Sequence, residues 1–184
     1  MWACSSDGVV RELLAKRRGI GGIIPHQDDG WVLSGRDLVH LSPDASQRVL
    51  FADDDAYGFN DLGTTTSGDL LAGVLRFRPL VGDPPRNGQL LQIKADGTVE
   101  VLTEEIVWPN GIGATPDGGT VYISDYAQKV VLAVSLNDCS VHEFCRSPDG
   151  SANGLALDCE GGVWVALGEG GGVARFHPDG QLTR

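Results

Sequence analysis

The 184-residue chain predicts an all-β fold, a β-propeller of four-stranded antiparallel blades. Three observations predict it. Gly is abundant, at 26 residues, and Met nearly absent, which suits many short strands joined by tight turns. Short apolar runs alternate with Asp-Gly and related turns. Those runs repeat at intervals of ~40–50 residues, the period of a propeller blade.

The repeats begin at Gly21 (GGIIPHQDDGWVLSG), Asn60 (NDLGTTTSGDLLAG), Asn110 (NGIGATPDGGTVYISD) and Asn153 (NGLALDCEGGVWVALG). Each runs from a polar or Gly start through a strand, a turn and a second strand. A further strand pair follows each one: DLVHLSPDASQRVLF, GQLLQIKADGTVEVLT, KVVLAVSLNDCSVHEF and GGVARFHPDGQLTR. Ahead of them, MWACSSDGVVRELLA reads as the outer hairpin of a blade. A short amphipathic helix over VVRELLAKRRG competes with the strand there and is disfavoured. Val74 to Gly88 is punctuated by Pro and Gly and reads as a loop on one face of the disc. Gly168 to Phe176 reads as a blade connection. The whole of 1–184 reads as one propeller domain of about four and a half blades. On this reading the disc is incomplete, or self-association through open blade edges completes it.

Net charge is −11, which excludes the basic stripe of a nucleic-acid surface and disfavours an anionic membrane. No apolar run approaches the ~20 residues of a membrane span, and no basic n-region with an apolar stretch opens the chain. Cys4, Cys139, Cys145 and Cys159 have no metal-finger spacing and read as buried free thiols of a reducing compartment. A cytoplasmic location follows. His26, His40, His142 and His177 read as surface turn residues, and the run Asp53-Asp54-Asp55 as a solvated connection. Trp31, Tyr122 and Trp164 share a place on the second strand of their repeats and are expected in the inter-blade core. No G-x-S-x-G elbow or P-loop is present.

The start of the innermost strand needs no asparagine, because Asn and Gly are poor strand formers. Yet Asn60, Asn110 and Asn153 share that register in three successive repeats. In a propeller they converge on one mouth of the central channel. An amide oxygen is a hard neutral ligand suited to Ca²⁺, Mg²⁺ or Mn²⁺. The competing reading is that each Asn-Gly is only a turn.

GFNDLGTTTSGDLLAG, WPNGIGATPDGGTVYISD and ANGLALDCEGGVWVALG resemble the regucalcin/gluconolactonase/luciferin-regenerating-enzyme family, also called the senescence marker protein family. The resemblance runs through nearly the whole chain. It implies a six-bladed propeller with one divalent cation in its channel, Ca²⁺ first, with Zn²⁺, Mn²⁺ or Mg²⁺ as alternatives. It implies hydrolysis of lactones, typically sugar lactones, and in some relatives of phosphotriesters. Family metal ligands are a Glu, two Asn and an Asp. By the resemblance Asn60 and Asn110 match the two Asn. Asn153 stands where the family has Asp, and the Glu has no counterpart. An Arg two residues before the first family Asn contacts substrate, and here that position is Gly58. Asp61 is retained as a binder of a substrate hydroxyl and is the nearby carboxylate for general-base work. The expected partner is a small-molecule lactone. Two other readings stand beside this one: a catalytically degenerate propeller that binds a ligand or a protein, and a piece of a longer enzyme.

Overall fold

The computed structural model describes residues 1–17 and 19–183. Among them, all regular structure is strand apart from two single-turn 3₁₀ segments, Pro79–Val81 and Gly168–Gly170. A short hairpin comes first: β1 (Trp2–Cys4) pairs with β2 (Val10–Glu12). The strand reading of that region therefore holds over the helical one. Arg18, in the same run, lies outside the described residues.

Four sheets follow in chain order. The first contains β3 (Ile23–Pro25), β4 (Trp31–Leu33), β5 (Leu38–Leu41) and β6 (Gln47–Phe51). The second contains β7 (Gly58–Thr64), β8 (Leu70–Leu75), β9 (Gly88–Ile93) and β10 (Val99–Ile106). The third contains β11 (Pro109–Ala114), β12 (Thr120–Asp125), β13 (Val130–Ser135) and β14 (Val141–Arg146). The fourth contains β15 (Leu155–Leu157), β16 (Val163–Ala166) and β17 (Val173–Phe176). All are antiparallel meanders, the blade pattern of a propeller. The expected fourth strand of the last sheet is reduced, among the described residues, to one bridge between Phe176 and Leu182.

The turns explain much of the acidic composition. At Asp28, Asp44, Asp96, Asp117, Asp158 and Asp179 a carboxylate oxygen accepts the backbone N–H two residues on. This local bond is why Asp recurs in the hairpin turns. Asp53 accepts the Asp55 N–H in the same way, and Asp53 and Asp55 both pair with Arg76 at 3.0 Å.

Middle strands are covered by the blades on both sides, so they read as continuous apolar runs rather than alternating ones. All six residues of β8 are buried. Phe59, Leu62, Val74 and Leu91 pack against Val32 and Leu38 between the first two full blades. Leu71 and Leu90 meet Ile112, Val121 and Val134 between the second and third. Tyr122 and Val131 meet Val163, Val165 and Phe176 between the third and fourth.

Several expectations are corrected. Tyr122 is core, but Trp31 and Trp164 are exposed at 36% and 43%. The Trp164 indole N–H donates to Asp158 at 2.9 Å. The four cysteines are free, but only Cys145 is buried, and burial pushes its thiol up to about 12. Val74 and Leu75 belong to β8, so the long loop begins at Arg76. The glycine-rich run at Gly168 joins β16 to β17 within one blade, not one blade to the next.

Candidate functional site

The innermost strands β3, β7, β11 and β15 stand side by side in that order. Glycine makes the approach close. A Cβ on Gly21 would lie 2.6 Å from the Asn60 Oδ1, and one on Gly111 would lie 2.2 Å from the Leu155 nitrogen and 2.8 Å from the Asn153 carbonyl. Asn60 on β7 and Asn110 on β11 thus lie on neighbouring inner strands, and Asn153, just before β15, lies against Gly111.

Two of them sit in matching irregularities. On β7, Phe59 pairs with Val74, and the next pairing is Leu62 with Ala72. On β11, Pro109 pairs with Asp125, and the next pairing is Ile112 with Ile123. In each case three steps on the inner strand oppose two on its neighbour, which is a β-bulge. The unpaired residues are Asn60-Asp61 and Asn110-Gly111. A bulge re-aims side chains and removes the ladder's demand for a strand-forming residue.

The turn alternative fails on backbone angles. Among the described residues, those other than glycine with left-handed φ are Asp29, Ala45, Lys129 and Cys139. None of the three asparagines is among them, and neither Gly111 nor Gly154 has positive φ. Asn110-Gly111 lies within β11, and Asn153-Gly154 leads directly into β15.

The Asn60 amide nitrogen donates to the Pro109 carbonyl at 2.8 Å, which fixes its plane and leaves Oδ1 as the free acceptor. Asn110 and Asn153 are half-buried. Asp61 is half-buried too, and one of its oxygens accepts the Leu62 N–H at 2.9 Å. Burial raises its carboxyl above the usual Asp range, opposed by that hydrogen bond. Asp125 is fully buried and accepts from the backbone of Val107, Trp108, Ala127 and Gln128 and from the Gln128 side chain. It therefore clamps the two residues that precede Pro109-Asn110.

A cavity of about 530 Å³ opens at the start of β7 and is walled by Arg36, Tyr57, Phe59, Asn60, Arg78 and Trp108, among others. Of the expected site residues only Asn60 lines it. Asp61 on β7, Asn110 on β11 and Asn153 just before β15 do not line it. Gly58 is a packing requirement: a Cβ there would meet the Gly35 carbonyl oxygen at 2.8 Å. Two arginines on the same wall come from elsewhere. Arg78 is paired with Asp83 at 2.8 Å. Arg36 donates to the Ala56 carbonyl at 2.6 Å and the Asp53 carbonyl at 3.3 Å, and no carboxylate pairs with it among the described residues. Sequence reasoning missed Arg36 because it sits in a connection outside the repeat register.

The histidine expectation is also corrected. His142 and His177 are exposed, but His40 is 5% exposed on β5, and both it and His26 reach Asp28. Ladder register brings them together, since Val32 of β4 pairs with both Ile24 and His40.

Comparison with known proteins agrees with this architecture. A 6-deoxy-6-sulfogluconolactonase of Pseudomonas putida is 33% identical over 132 residues, covering 67% of this chain and 44% of that protein. An L-arabinolactonase of Azospirillum brasilense is 33% identical over 109 residues, covering 55% of this chain and 36% of that protein. The chain thus spans about half or less of the length of these curated relatives. Among solved structures, a Xanthomonas campestris gluconolactonase superposes with a TM-score of 0.81 at 24% identity, covering 98% of this chain and 66% of that one. The calcium-binding protein regucalcin of Agrobacterium tumefaciens superposes with a TM-score of 0.74 at 23% identity, covering 88% and 58%. These superpositions speak for the fold, a β-propeller. The family described as "SMP-30/Gluconolactonase/LRE-like region" matches residues 2–184, and this chain belongs to it.

Proposed function

We propose that this chain carries the metal- and substrate-facing part of a sugar-lactone hydrolase. The observation that supports this best is the pair of matched bulges, each opening with an asparagine, with Asn153 against the Gly111 of the second. The named relatives, lactonases of gluconic and pentonic type, support the substrate class.

The donor set fits a hard divalent cation, Ca²⁺ first, because Asn60, Asn110 and Asn153 offer amide oxygens and no soft ligand. These three residues would hold it. With no carboxylate among them, affinity is low, since ligand charge is a main lever on binding of such ions. A bound cation supplies Lewis-acid polarisation of the lactone carbonyl. The chain's own groups do the rest. Asp61 takes a proton from water as the oxygen adds to the acyl carbon, and the ring oxygen leaves with a proton to give the hydroxy acid. The Asn60–Pro109 hydrogen bond holds the amide in a fixed plane, so it does not reorganise during the reaction. Arg36 and Trp108 on the cavity wall orient the sugar.

The test is hydrolysis of gluconic and pentonic lactones with added Ca²⁺, Mn²⁺, Zn²⁺ or Mg²⁺, run beside Asn110→Ala. We expect metal-dependent turnover that Asn110→Ala reduces at least tenfold. Equal background rates for both proteins would sink the reading. One observation favours the alternative of a non-catalytic binding module: Asn153 gives the site a neutral group where the family resemblance implies Asp. Lactone binding without turnover in all four metals would select that alternative.

A further inference from the structure

His26, Asp28 and His40 form a second constellation, at the far end of the β3–β4 hairpin. Gly21 lies level with Asn60, and His26 is five residues further along, about 17 Å at the rise of a strand. The two sites therefore sit at opposite ends of the inner strands and share no residue.

Three features of this cluster bear on its chemistry. The first is convergence. His26 Nδ1 lies 2.6 Å from Asp28 Oδ1, and His40 Nε2 lies 3.0 Å from Asp28 Oδ2. All three donor atoms fall within 4.8 Å of one another. Tetrahedral ligands at zinc's bond lengths of about 2.0–2.2 Å stand about 3.3 Å apart, so shifts of roughly an ångström convert one arrangement into the other. The second is support. Asp28 Oδ1 also accepts the Gly30 N–H at 2.9 Å, and the turn is closed by the His26 N–H donating to the Gly30 carbonyl at 2.9 Å. Such outer bonds orient a ligating carboxylate before the ion arrives. The third is space. A Cβ on Gly30 would lie 2.5 Å from the Leu41 carbonyl oxygen, 2.7 Å from Asp28 Oδ1 and 2.9 Å from His40 Nε2, so a side chain there would crowd both the strand backbone and the cluster.

We propose that His26, Asp28 and His40 form a binding site for a transition-metal ion of the Zn²⁺ class, separate from the channel. Two imidazole nitrogens and one carboxylate oxygen suit Zn²⁺, Co²⁺ or Ni²⁺ and are poor ligands for Ca²⁺. Without an ion, the ring nitrogens that face Asp28 carry the protons they donate to its carboxylate; the ion displaces those protons, and each neutral imidazole then offers that nitrogen's lone pair with its single proton on the other ring nitrogen. His26 and Asp28 are partly exposed, 31% and 41% at the side chain, so a fourth position is open to water or to an outside ligand. The ion would tie the inner turn of this blade to β5.

The test is calorimetric titration of the whole chain with Zn²⁺ at pH 7.5, with excess Ca²⁺ present to occupy oxygen-donor sites. Co²⁺ absorption serves as a second readout of nitrogen ligation. We expect one Zn²⁺ per chain. His26→Ala and Asp28→Asn should each weaken it by about 30-fold or more, since loss of even an outer partner costs roughly 10- to 100-fold. Asn110→Ala should leave this event unchanged. Both cluster variants change partly exposed side chains, and an unaltered circular dichroism spectrum checks their fold, whereas His40 is buried and its replacement risks the core. Zn²⁺ should also raise the melting temperature of the wild type and not of His26→Ala. No Zn²⁺ uptake by the wild type would overturn the proposal and leave a hydrogen-bonded cluster only. Uptake that survives His26→Ala and Asp28→Asn but is lost in Asn110→Ala would overturn it too, and would put the zinc in the channel.

Discussion

By the family resemblance, Asn153 stands where an Asp is implied, a difference of one atom. Asn and Asp are nearly the same size, so Asn153→Asp fits without repacking and exchanges a neutral oxygen for an anionic one. Opposite charges 4 Å apart attract by about 4 kcal/mol at an effective dielectric of 20. Desolvation of the carboxylate offsets part of that. A net gain of about 1–3 kcal/mol, roughly 10- to 100-fold in affinity, is expected for Ca²⁺ in a calorimetric titration, with lactonase turnover rising alongside. Unchanged binding would mean that Asn153 does not face the cation. On the proposed mechanism, Asp61 separates binding from chemistry. As the proton acceptor, its replacement in Asp61→Asn should lower kcat by about 10²–10⁴, while Ca²⁺ affinity stays within a few-fold. Equal losses in both would make Asp61 a ligand instead. At this scale the asparagines were legible in the sequence because they break strand propensity in one register. Arg36 was not legible, because nothing in a lone arginine between two strands says which cavity it lines.

The element that sets the site is the bulged inner strand, and Asp125 is what holds one of the two bulges in place. Its carboxylate satisfies four backbone N–H groups and one side-chain amide in a fully buried position. Asp125→Ala leaves those donors without a partner, which should cost about 3 kcal/mol or more of folding stability in a denaturant titration. Because two of the donors belong to Val107 and Trp108, Ca²⁺ affinity should fall as well, even where the variant is fully folded. A variant that loses stability and keeps its affinity would show that the β11 bulge holds its shape unaided. Strand order and blade boundaries were readable from turn chemistry and the repeat period. The bulges were not, because Asn-Gly is equally at home in a turn, and only the pairing of Pro109 with Asp125 and Ile112 with Ile123 separates the two. The histidine cluster escaped for a related reason. His26 and His40 are distant in sequence and meet through cross-strand register, which the spacing of motifs along the chain does not report.

Across the molecule, blades are joined by apolar faces and by a few polar ties, and those ties respond to acid. Glu169 is the clearest case. Ser151 donates to one of its oxygens at 3.0 Å, and the Tyr126 hydroxyl, from the third blade, donates to the other at 3.2 Å. Its own backbone N–H and the Ser151 hydroxyl hold its carboxyl down at about 2, against an ordinary value of 4.5. Asp28 and Asp158 are also held low, the first chiefly by His26 and the second by Arg175. A carboxyl depressed in the fold contributes stability that is present above its unfolded value and lost as pH falls through the folded one. The protein should therefore lose stability as pH falls from about 4.5 toward 2. Glu169→Gln isolates the inter-blade tie. At pH 7 the variant should melt below the wild type, and the gap should narrow below pH 4.5 and nearly close around pH 2, because there the wild-type carboxyl is half protonated and loses its advantage over the amide. A gap that stays constant down to pH 2 would show that Glu169 joins the third and fourth blades by packing and hydrogen-bond shape rather than by charge.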